Sequence, residues 1–273
     1  MKHNTTYVNC NAGFISCVRN LWNGTRNSFR GMVFLALVLL ICSSSLYAHG
    51  FTEAFPASIT AVQLSSVAWG DYDNDGLLDI LLTGTTNGNV SGAISKIYRN
   101  TGSGFTEVFE GSLMGVCSGS IAWGDYDNDG DLDILLTGYN SSSVRTSKIY
   151  QNTGSGFTEV YVGSLPGVNS GSVAWGDYDN DGDLDILITG NNVGTYISKI
   201  YQNTGSGFTE VYAGSLAGVY VSSAAWGDYD NDGDLDILLC GTKNGSDKIS
   251  SIYQNTGSGF TEVFEGSLPG VNS

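Results

Sequence analysis

The chain has 273 residues, a formal net charge of −16, 38 glycines and only 3 prolines. No basic stripe is available to neutralise phosphates, which excludes a nucleic-acid partner. Aromatic residues at 11% beside this much glycine suit short strands joined by tight turns and exclude a disordered or collagen-like chain.

The N-terminal stretch differs from the rest. Lys2, Arg19, Arg26 and Arg30 precede an apolar run from Met32 to Cys42, and Ser43-Ser44-Ser45-Leu46-Tyr47-Ala48 follows. A basic region, a short apolar core and a small residue make the order of a secretory signal peptide. Residues 1–48 are therefore read as signal peptide and leader, with Met32 an alternative start. An apolar run of 11 residues is short of the roughly 20 that span a bilayer. No membrane span is expected, and the mature chain is expected to be secreted or held at the cell surface. Cys10, Cys17 and Cys42 leave with the leader. Cys117 and Cys240 stand at different positions of the repeat described next, so no disulfide framework is expected.

From residue 49 onward the chain repeats. Gly-Phe-Thr-Glu begins at Gly50, Gly104, Gly156, Gly207 and Gly259, and Trp-Gly-Asp-Tyr-Asp-Asn-Asp-Gly-x-Leu-Asp begins at Trp69, Trp123, Trp175 and Trp226. Successive tryptophans are 54, 52 and 51 residues apart. The differences fall in one polar loop, at 85–93, 139–145, 191–196 and 242–247. In the second copy, Gly119–Tyr126, Leu132–Thr137, Ser147–Tyr150 and Phe157–Tyr161 read as four strands, the second apolar enough to be buried on both faces. A four-stranded unit of about 50 residues in tandem predicts an all-β fold, a β-propeller with blades near 65–111, 119–163, 171–214 and 222–266. The lone Phe51–Phe55 adds one extra N-terminal strand, which would complete the last blade or be the remnant of another.

Each acidic loop places Asp at positions 1, 3, 5 and 9 and Gly at 6, counting from the Asp after Trp-Gly. Alternating carboxylates on a curling loop form a cage of hard oxygen ligands, which suits Ca²⁺ better than Mg²⁺, an ion that keeps more of its water. Most of the 27 acidic residues lie in these loops. Such one-signed clusters repel themselves, and bound cations would relieve them. The expected ligands are Asp71, Asp73, Asp75, Leu77 and Asp79 in the first loop and Asp125, Asp127, Asp129, Asp131 and Asp133 in the second. The third supplies Asp177, Asp179, Asp181, Asp183 and Asp185, and the fourth Asp228, Asp230, Asp232, Asp234 and Asp236. Position 7 is expected to act through its carbonyl, since Leu77 is tolerated there. An EF-hand is excluded, because position 12 is Leu82, Leu136, Ile188 or Leu239 where that motif needs Glu.

These residues resemble the FG-GAP and VCBS-type repeat family, whose fold relatives include integrin α-subunit heads, and the resemblance covers residues 50–273. It implies a β-propeller with Ca²⁺ in inter-strand loops of exported or cell-surface proteins. Family propellers usually have about seven blades, so four is a departure.

One tryptophan and one tyrosine per repeat (Trp69, Trp123, Trp175, Trp226; Tyr98, Tyr150, Tyr201, Tyr253) are assigned to packing between blades rather than to sugar stacking. Sequons at Asn89, Asn140 and Asn244 lie in the variable loop. Past the leader only His49 remains of the histidines, and no nucleophile–base constellation assembles, so no enzyme is expected. The expectation is an exported, calcium-stabilised scaffold for interaction or adhesion, with a protein or glycan ligand at the cell surface or in the extracellular matrix. A lectin-like propeller and a spacer from a larger surface protein are the alternatives.

Overall fold

The computed structural model describes residues 59–263. The leader, the Phe51–Phe55 strand and the segment 264–273 lie outside the described residues. Four antiparallel blades follow one another. The first comprises β1 (Gln63–Gly70), β2 (Asp79–Thr85), β3 (Ala93–Asn100) and β4 (Phe105–Val108). A two-residue strand, β5 (Val116–Cys117), links it to β6 (Ile121–Gly124), β7 (Asp133–Asn140), β8 (Arg145–Asn152) and β9 (Phe157–Val160). The third blade is β10 (Val173–Gly176), β11 (Asp185–Asn192), β12 (Thr195–Asn203) and β13 (Phe208–Val211). The fourth is β14 (Tyr220–Gly227), β15 (Asp236–Lys243), β16 (Asp247–Asn255) and β17 (Phe260–Val263). The architecture is all-β and propeller-like, as the repeat predicts. Among the described residues no helix is long and apolar enough to cross a membrane.

Strand order within each blade is sequential, because each connection is a short turn. The strands predicted in the second copy are all present, but β7 and β8 extend further than expected. Tyr139 pairs with Arg145, and in the third blade Asn192 pairs with Thr195. Much of the variable segment is therefore ladder, not loop. Backbone groups pair whatever the polarity of their side chains, so polarity misplaces the strand ends.

The core lies between blades. Successive residues of the second strand point to opposite faces. Leu135 accordingly joins Val173 and Ile186 of the next blade, while Ile134 and Leu136 join Tyr72 and Leu81 of the previous one. Each junction also holds a Trp over a Tyr. Trp123 stacks on Tyr72, Trp175 on Tyr126 and Trp226 on Tyr178, with ring centroids 6.2, 6.1 and 6.3 Å apart and planes within 12°. The glycine after each tryptophan is the seat for the next one. A Cβ at Gly70, Gly124 or Gly176 would lie 2.6–2.7 Å from Cδ1 of the incoming indole. Trp123, Trp175 and Trp226 are thus packing groups between blades, whereas Trp69 is exposed and meets only Phe105 of its own blade among the described rings.

The linkers are clasped from both sides. The Ser95, Ser147 and Ser198 hydroxyls donate to the Met114, Pro166 and Ala217 carbonyls. From the following blade, Tyr150 and Tyr253 accept the Met114 and Ala217 N–H groups. Pro166 has no N–H to offer Tyr201. Cys117 and Cys240 are free thiols.

Candidate metal centre

Each acidic loop connects the first strand of a blade to its second. Gly76, Gly130, Gly182 and Gly233 turn it at φ between 87° and 96°, a region that favours glycine. The Asn two residues earlier in each loop (Asn74, Asn128, Asn180, Asn231) is also left-handed, a conformation Asn tolerates.

Positions 1, 3 and 9 converge. In each of the four sets Asp71/Asp73/Asp79, Asp125/Asp127/Asp133, Asp177/Asp179/Asp185 and Asp228/Asp230/Asp236, one carboxylate oxygen per residue lies within 4.8 Å of the others. Position 1 also braces the turn: in the first loop, Asp71 accepts the Asp75 and Gly76 N–H groups at 3.0 and 2.9 Å. Position 9 is buried at the mouth of the second strand. Asp133 accepts the Asn152 N–H at 2.7 Å and the Tyr126 N–H at 3.1 Å, so its side chain joins the loop to the end of the third strand. Asp79, Asp185 and Asp236 do the same in their own blades.

The remaining expected ligands do not join these triads. Position 5 (Asp75, Asp129, Asp181, Asp232) uses one oxygen to accept the N–H of position 7. The position-7 side chains point to the preceding blade. Asp131 accepts Asn74 Nδ2 at 2.9 Å, Asp183 accepts Asn128 and Asp234 accepts Asn180. Leu77 stands where no loop precedes it among the described residues. The bridging asparagines were missed in the sequence, although the contrast between Leu77 and three aspartates was a legible signal.

A second asparagine also crosses each junction. Asn152 Nδ2 donates to the Tyr72 carbonyl in the loop of the previous blade, and Asn203 and Asn255 reach Tyr126 and Tyr178 in the same way. Every junction thus ties one acidic loop to the next.

Burial governs the electrostatics. It pushes Asp133 and Asp185 up to about 7 against the opposing pull of their two N–H donors, and the neighbouring loop carboxylates add to the rise. Asp79 is raised for the same reasons. The donor set is wholly oxygen and anionic, and Asp73 Oδ1 is buried with no hydrogen-bond partner among the described residues. Such a set fits a hard cation, and the triads could hold a metal ion.

Residues 71–136 and 125–188 match the FG-GAP-like repeat family. Residues 71–188 are thus similar to FG-GAP-like repeats. Beyond the matched residues the same acidic loop recurs at Asp228–Asp236, and Trp226 stacks on Tyr178 as Trp175 does on Tyr126. No curated protein matches the chain.

Proposed function

We propose that this protein is an exported, calcium-binding propeller scaffold that presents its variable hairpins to a partner. The observation that carries the reading is the fourfold recurrence of three converging carboxylates at one place in the blade. In each loop the residues at positions 1, 3 and 9 would hold Ca²⁺, with position 5, the position-7 carbonyl and water completing the shell. The ion's contribution is structural. It neutralises a buried acid at the entry to the second strand, where Asp133 and its counterparts already organise the backbone.

The partner is a protein or glycan outside the cell, met by the hairpin tips at 85–93, 139–145, 191–196 and 242–247. Their lengths and side chains vary while the blade beneath them does not. The reading of residues 1–48 as a secretory leader supports export. The scaffold character of the FG-GAP-like repeat supports binding over catalysis.

Thermal denaturation tests the metal. Excess Ca²⁺ should raise the melting temperature relative to chelator, by mass action on the folded state, and Mg²⁺ at the same concentration should do less. An unchanged melting temperature would overturn the proposal.

A further inference from the structure

The two faces at the ends of the described blades are the two halves of one junction. On the leading face of the first blade, Val67 is 65% and Trp69 59% exposed, and Leu78 is also exposed. Their counterparts at the internal junctions are Ile121, Trp123 and Leu132, then Val173, Trp175 and Leu184, and these pack into inter-blade cores. On the trailing face of the fourth blade, Leu238 is 47% exposed, whereas Leu81, Leu135 and Leu187 at the same position are fully buried. A Cβ at Gly227 would meet nothing within 4 Å among the described residues, although the three other glycines of this kind are each covered by an indole. A depression of about 270 Å³ opens there, lined by Gly227, Tyr229 and Leu238. Tyr229 keeps contacts of its own and is 39% exposed.

We propose that the chain associates head to tail with a second copy, the Trp69 face of one seating on the Gly227–Leu238 face of the other. The complementarity is one the chain already makes with itself three times: indole on glycine and tyrosine, β-branched or small apolar residue beside it, leucine beneath. Because the two surfaces differ, the contact is heterologous, and it either closes a ring or continues to a further copy according to the rotation between copies. One feature is weaker than in the internal junctions. Asn231 has the left-handed backbone of the bridging asparagines, but Leu77 replaces the aspartate that would receive it.

Light scattering or sedimentation of the full chain over a range of concentrations tests this, with Trp69→Glu and Leu238→Arg as variants. Both side chains are exposed in the single chain, so folding should survive. The wild type should grow beyond one chain as concentration rises, and each variant alone should stay at one-chain mass. An equimolar mixture of the two variants should form a two-chain species and nothing larger, since only one intact head and one intact tail remain to meet. Leu77→Asp should tighten the wild-type association severalfold by restoring the acceptor for Asn231. A wild type that stays at one-chain mass up to its solubility limit would overturn the proposal. So would variants that still associate alone, a mixture that stays monomeric, or a Leu77→Asp chain that associates no more tightly.

Discussion

The first blade and the three that follow share a backbone but not a charge. Gln151, Gln202 and Gln254 each donate to the position-3 aspartate of their loop, at 2.6 to 2.7 Å. In the first blade that place belongs to Arg99, whose Nε lies 2.7 Å from Asp73 and whose Nη2 lies 3.3 Å from Asp75. With Leu77 in place of an aspartate, the first loop has one acid fewer and one base more than the others. The loop geometry is nevertheless the same. Shape is set by the hydrogen bonds of positions 1, 5 and 9 and by the glycine turn, which are common to all four. Charge is a separate variable laid over that shape.

The same blade differs in what its tryptophan touches, and that gives the largest test. Trp175→Ala empties a junction and should lower stability by about 3–5 kcal/mol in urea denaturation. Trp69→Ala, measured on dilute protein, removes an exposed ring and should change stability by no more than about 0.5 kcal/mol. Equal losses would break the distinction between internal and terminal faces.

Next in size is the response to pH with metal chelated. Asp133 and Asp185, held near 7 by burial, keep protons that the unfolded chain releases near pH 4. The folded state binds more protons between those values, so its stability falls as pH rises from about 4 to about 7. Melting temperatures in chelator should be lower at pH 8 than at pH 5, and Asp133→Asn should flatten the slope. With Ca²⁺ present the trend should reverse, because protons then compete with the ion for the same oxygens. A higher melting temperature at pH 8 in chelator would contradict the assignment.

Smaller effects come from charge within the loops. The guanidinium beside Asp73 should make the first site the weakest of the four. Arg99→Gln should strengthen Ca²⁺ binding there by about tenfold, and Gln151→Arg should weaken the second site to a similar degree. Calorimetric titration of the two variants against the wild type reads both changes. The smallest effect belongs to the bridging amides. Both Asn128→Ala and Asn231→Ala put alanine at a left-handed position, but only the first also loses a hydrogen bond to a neighbouring loop, so in dilute protein Asn128→Ala should cost about 1 kcal/mol more than Asn231→Ala.

What was legible in the sequence is whatever repeats within one blade. The spacing of Trp, Asp and Gly located the acidic loops and the first two strands, and the apolar run of Ile134 to Leu136 marked a strand buried on both faces. Contacts between blades were less accessible. Asn74 meets Asp131 across 57 residues, a pairing that depends on how one blade is rotated against the next and not on any local period. The exchange of Gln for Arg99 was visible in the aligned repeats. Its meaning was not, because nothing local shows that the side chain at the end of the third strand reaches the loop before the second. Position 7 was read through its backbone alone, and its side chain proved to belong to a junction.

The Asn-to-Asp bridge makes neighbours of loops that would otherwise act alone. Each of the first three acidic loops grips the one after it through a side chain and is held in return, by the next blade, through the Tyr carbonyl that Asn152 and its counterparts reach. Order gained in one loop is therefore passed to the next, and only to the next. The four loops form a one-dimensional lattice with nearest-neighbour coupling. Occupancy of such a lattice would rise more steeply with ligand concentration than independent sites allow. Loss of both ties at one junction would divide it into two shorter lattices rather than dissolve the whole.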